Sequence, residues 1–180
     1  MSWLAQYGAL AEYNRWMNRK LMAVCLELTD EERTRDLGAF FGSVHATLNH
    51  ILLVDLTWMR RITNDRERFD YTDASGRRVV LTSNNQILYP DFDAFRDRRE
   101  ALDWAIVEWA RSLDEATLER PFRWRTTTGE THEHPLWWTV SHFFNHQTHH
   151  RGQVTTLLKQ LGRTPGVTDL GIFLVEARST

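Results

Sequence analysis

Cysteine is nearly absent from this 180-residue sequence, Cys25 being its only one. An intrachain disulfide is therefore impossible, as is a zinc site built on several thiolates, and nothing demands an oxidising compartment. Long apolar runs are missing too: no stretch approaches the ~18 consecutive apolar residues of a membrane span. The opening MSWLAQYGALAEYNRW carries Glu12 and Arg15 early. It lacks a basic start followed by an uninterrupted apolar stretch, so it does not read as a signal peptide, and the expected location is the cytoplasm. Charge of one sign is also lacking. A formal net charge of −2 gives no electrostatic reason to expect nucleic acid or an anionic membrane as partner. Internal repeats, low-complexity segments, a Ser-His-Asp set and a glycine-rich phosphate loop are all absent.

What is present suits one soluble globular domain over residues 1–180. Hydrophobic residues make up 42% and charged residues 26%, enough apolar material for a single sizeable core. Eight tryptophans are many for this length, and several must line a core, a pocket or an interface.

Apolar spacing predicts a first helix over 3–27, through Leu4, Tyr7, Leu10, Tyr13 and Met17. A charged segment follows, in which Thr29 or Asp30 caps a short turn. A second helix lies in GAFFGSVHATLNHILLVDLTWMRRI, with Ser43 on its start side and apolar residues over a wide arc, so deep packing is expected. The polar connection from Thr63 to Asp91 is long for a compact domain, and such loops are often functional or mobile. Asp91 or Asp93 caps a third helix that ends near Leu113. RPFRWRTTTGETHEHP reads as a β-hairpin turning at Thr128-Gly129, and Pro135 is placed at the first turn of the next helix. The fourth helix runs from Leu136 to Leu161 and stops at Gly162, with a last helical turn or two around Leu170 to Ala177. Four long helices with one long crossover and a small hairpin make an all-α four-helix bundle the expected architecture.

The fourth helix gathers four histidines in SHFFNHQTHHRGQV: His142, His146, His149 and His150. Residues four apart on an α-helix differ by ~40° in direction and one turn in height, so two imidazoles can bend toward one point. That H-x-x-x-H spacing supplies two nitrogen ligands to one metal. It fits His146 with His150 and equally His142 with His146. His149 lies ~100° round from His150 and faces elsewhere. A third ligand must come from another helix, and the second helix offers His45 and His50. His50 sits in the most apolar stretch, LNHILLVD, where a buried imidazole needs a partner; a metal is one, a core hydrogen bond another. His132 and His134 read as a solvated strand end.

LNHILLVDLTWMRR and FNHQTHHRGQVTTLLKQLGRTPGVTDLGIFL, with YNRWMNRKLM in the first helix, resemble the DinB-like (DNA-damage-inducible, YfiT-like) metalloenzymes over nearly the whole chain. The resemblance implies a bundle of up-down-down-up topology. It implies a divalent metal, nickel or zinc first and iron or manganese next, on His50, His146 and His150. It also implies a homodimer and thiol-dependent S-transfer, acting on a small molecule with a low-molecular-weight thiol such as bacillithiol or mycothiol. The other functional readings are a metal-dependent hydrolase, a non-catalytic metal-binding stress-response protein, and a metal-free bundle with structural histidines.

Three neutral imidazoles leave a divalent ion at least one open position, an arrangement more catalytic than structural. Asp55 is five residues beyond His50, ~140° round the helix, and is not placed to support it. Arg151 and Gln153 flank the fourth-helix pair. A structural ion pair or cap is the preferred role for Arg151 over a substrate carboxylate. Trp16 and Trp58 are read as core first and pocket lining second. Cys25 lies in an apolar run typical of inert packing, and no general base is identified.

Overall fold

Two of the four long helices begin where a side chain satisfies a free amide. In the computed structural model, which describes residues 3–126 and 128–177, Ser43 accepts a hydrogen bond from the Ala46 amide at 3.1 Å and starts α3 (Val44–Thr63). Asp91 does the same for the Ala94 amide at 2.8 Å and starts α4 (Phe92–Ser112). Thr29 and Glu32 cap each other reciprocally ahead of the short α2 (Asp30–Thr34). The first helix, α1, spans Trp3–Cys25, slightly shorter than its apolar spacing predicts. The fourth long helix, α6 (Leu136–Gln160), is followed by Gly162 at φ +73°, a left-handed position that glycine takes without steric cost. A further short helix, α5 (Glu115–Glu119), capped by Asp114, was not expected, and α7 (Leu170–Glu176) closes the described chain.

The hairpin forms as expected from β1 (Pro121–Arg125) and β2 (Thr131–Pro135), paired antiparallel with Phe122 opposite His134. Pro135 ends β2 and stands at the N-cap of α6 rather than inside its first turn. The long connection over 64–91 holds no helix or regular strand, yet it is anchored: Phe69, Leu88 and Tyr89 are buried in the core.

Side-chain contacts fix the direction of each long helix. Arg111 meets Glu12 at 2.6 Å and Asn18 meets Asp103 at 2.9 Å, so α4 runs antiparallel to α1. Tyr7 meets Ser141 at 2.8 Å and Asn14 meets Arg151, so α6 runs parallel to α1. His45 packs on Phe95 and Asp55 bonds Arg99 at 2.6 Å, so α3 runs parallel to α4. The four long helices therefore run up, down, down and up, with α3 antiparallel to α6. Among the described residues no helix is long and apolar enough to cross a membrane.

The bundle centre is not wholly apolar. Arg99 bridges Asp55 at 2.6 Å and Asp103 at 2.8 Å, all three at most 2% exposed. Asn14 and Asn18 donate to Asp103. Charges this deep persist only when paired and hydrogen-bonded. Burial still pushes Asp103 up to about 6, against the pull of Arg99.

Candidate metal centre

Because α3 and α6 pack antiparallel, one face of α3 places a histidine beside two successive turns of α6. His50 comes from α3, and His146 and His150 stand one turn apart on α6. One nitrogen from each lies within 4.8 Å of the other two. The Nε2 atoms of His50 and His146 are 3.3 Å apart. His50 is 7% exposed, while His146 and His150 are half-buried.

Hydrogen bonds set the tautomers of two of these rings. His50 Nδ1 is 2.9 Å from the backbone carbonyl of Asn84, in the long connection. A carbonyl oxygen can only accept, so Nδ1 carries the proton and Nε2 presents a lone pair. His150 Nδ1 donates in the same way to the Gln153 side-chain oxygen at 2.8 Å, leaving its Nε2 unprotonated. The Gln153 amide nitrogen in turn meets His149 at 3.4 Å, so exposed His149 helps hold the residue that orients His150. His146 differs: its Nδ1 is buried and has no hydrogen-bond partner among the described residues. Phe41 stacks on His50 with ring centroids 4.0 Å apart and meets His150 edge-on at 5.5 Å, covering one side of the cluster.

All three rings favour the neutral state. Burial, then the neighbouring His150 and His50, pushes His146 down to about 3. Burial also lowers His50 and His150. The cluster thus gathers neutral imidazole nitrogens, with no carboxylate or thiolate among the described residues joining them.

This donor set fits a first-row divalent ion. Ligands at ~2.0–2.1 Å in tetrahedral array stand roughly 3.3 Å from one another, the separation of the His50 and His146 nitrogens. A cation would also satisfy His146, a ring whose polar neighbours are the other imidazoles.

The remaining sequence candidates lie elsewhere or serve the frame. His45 is buried and bonds the Tyr89 carbonyl at 2.8 Å, which makes it a strut between α3 and the long connection. His142 stands beside Trp58, ring centroids 5.4 Å apart, outside the three-nitrogen group. His132 and His134 stay on β2, where His134 accepts from the Trp124 indole. Asp55 faces Arg99, as its helical direction predicts. Arg151 is 3% exposed, bonded to Asn14 and Thr148, and is structural. Trp58 is buried near His142, whereas Trp16 packs on Tyr13 and Phe173, away from the cluster. Buried Cys25 has its thiol pushed up to about 12 by burial, so it stays protonated. Sequence reasoning missed Asn84 and Phe41. The length of the loop was the only signal for Asn84, and Phe41 carried none.

The DinB family profile matches residues 1–178, and the chain belongs to that family. Protein DinB of Bacillus subtilis (strain 168) is 24% identical over 165 residues, covering 92% of this chain and 91% of that protein. Two solved structures share the fold. One is a DinB-like protein from Bacillus cereus ATCC 10987, with TM-score 0.58 and 21% identity over 87% of this chain and 91% of that one. The other is YfiT from Bacillus subtilis, with TM-score 0.59 and 16% identity over 91% of each chain. YfiT is described as a probable metal-dependent hydrolase with an unusual four-helix bundle topology.

Proposed function

We propose that this protein is a divalent-metal-dependent enzyme whose ion is held by His50, His146 and His150. One observation carries the reading: neutral imidazole nitrogens from two antiparallel helices converge, two of them with lone pairs fixed by hydrogen bonds on the far side of the ring. Nickel or zinc is the ion we assign, since borderline nitrogen donors suit both.

An ion held there with an open position would lower the pKa of a water or thiol and polarise a bound carbonyl. The chain's own residues prepare this chemistry. The Asn84 carbonyl and Gln153 hold two rings in register, and Phe41 excludes water from one flank. Cys25 is buried in the core and supplies no nucleophile. We take the nucleophile to come from outside the chain. Hydrolysis, with water in that role, is the first reading, supported by the description of YfiT. Transfer of a low-molecular-weight thiol is the second, and it rests on the same need for an external nucleophile.

The test is a paired screen of activated esters and of thiol acceptors, with several small thiols, using zinc- or nickel-loaded protein beside His146→Ala. Turnover confined to the loaded wild type, with metal content reduced in the variant, is expected. Full metal content in His146→Ala would show that the three-histidine site is misassigned.

A further inference from the structure

The hairpin motif RPFRWR plays no part in the histidine cluster, yet the fold gives it a partner. The end of α3, the start of the long connection and β1 meet around a cleft of about 420 Å³. Its lining includes Arg60, Arg61, Arg66, Arg123 and Arg125, together with Trp124, and holds no carboxylate. Arg60 shares the Asp70 carboxylate with Arg78, each at 2.6 Å. The other four guanidiniums have no carboxylate partner among the described residues. Glu133 stands opposite Arg123 in the strand register without forming an ion pair. Arg61 lies over both Trp58 and Trp124, at 5.2 and 5.6 Å from the ring centroids, which fixes its plane. Four unpaired guanidiniums around one hollow repel each other, and an anion relieves that repulsion.

Packed rings, rather than open space, lie between the cleft and the histidines. Arg61 covers Trp58, Trp58 meets His142 at 5.4 Å, and His142 meets His146 at 5.9 Å, all measured to ring centroids. The volume of the cleft suits a single small ligand.

We propose that this cleft binds the anionic group, carboxylate or phosphate monoester, of a small organic acid whose planar part packs on Trp124. The proposal stands without the metal-enzyme reading. Arg61 and Arg125 hold the backbone of the hairpin as well, through Arg61 to the Arg125 carbonyl and Arg125 to the Gly129 carbonyl. Arg66 and Arg123 are exposed and unbonded among the described residues, so they are the residues to vary.

Calorimetric titration of metal-loaded and chelator-treated protein with benzoate, phenyl phosphate and neutral benzamide tests the proposal. One or both acids should bind saturably and benzamide should not, the stronger acid showing which anion the cleft prefers. The double variant Arg66→Gln, Arg123→Gln, checked by circular dichroism, should bind about tenfold more weakly. His146→Ala should bind as wild type does. Loss of binding in His146→Ala with retention in the arginine variant would place the anion on the metal and overturn the cleft, while leaving the metal reading intact. No saturable binding of either acid, or tighter binding of a short oligothymidylate than of both, overturns it as well. Arginine-dependent binding in a protein that takes up no metal would keep the cleft and remove the metal enzyme.

Discussion

Replacing His146 by alanine removes the nitrogen that stands 3.3 Å from His50 Nε2 and leaves two imidazoles to hold any ion. Metal that binds only the native state stabilises it by RT ln(1 + [L]/Kd), about 2.7 kcal/mol at a hundredfold excess over Kd. For a chain of this size each kcal/mol moves Tm by roughly 2–4 °C, so loading the wild type should raise Tm by roughly 5–10 °C. If losing one of three ligands weakens affinity about a hundredfold, the same metal concentration gives the variant only ~0.4 kcal/mol, roughly 1 °C. Thermal melts followed by circular dichroism, each protein compared with its own chelated form, cancel the intrinsic cost of the substitution. The sign with pH follows from the neutral rings. In the metal-free fold His146 sits near about 3, below its ordinary 6.5, because burial and the neighbouring imidazoles disfavour the cation. A depressed folded value contributes stability above 6.5 that is lost as pH falls from there toward 3. Protons also compete with metal for the same nitrogens, so the metal-induced rise should shrink in the same direction. A rise of equal size in His146→Ala, or none in the wild type, would refute the reasoning.

Two further outcomes follow from the supports around the site. Gln153→Ala deprives His150 of its orienting acceptor and should weaken metal binding about 10–100-fold in a chelator competition, whereas Gln153→Glu keeps an acceptor and should lose much less. Arg99→Met leaves Asp55 and Asp103 buried without their cation and should cost about 3–5 kcal/mol in urea unfolding; a loss below ~1 kcal/mol would mean that the central network is not held by that pair.

Much of this protein follows from local physics. Thr29, Ser43 and Asp91 start their helices because their side chains reach the free amides of the first turn. Gly162 marks the end of α6 because the chain turns left-handed there. The pairing of His146 with His150 was legible as a possibility from helical pitch, as was the turning away of Asp55. Other choices had no local solution. Spacing fits His142 with His146 as well as His146 with His150, and both His45 and His50 lie on α3. The antiparallel packing of α3 on α6 decides among them: it seats His50 against the turn from His146 to His150 and turns His45 toward Tyr89. The Asn84 carbonyl and Phe41 come from segments whose shape depends on what they pack against, so no periodicity announces them. The arginine cleft is assembled from three separate segments. Helix periods and caps act between residues a few positions apart and are written in the sequence. A site built across helices, loop and hairpin exists only once packing has set their directions.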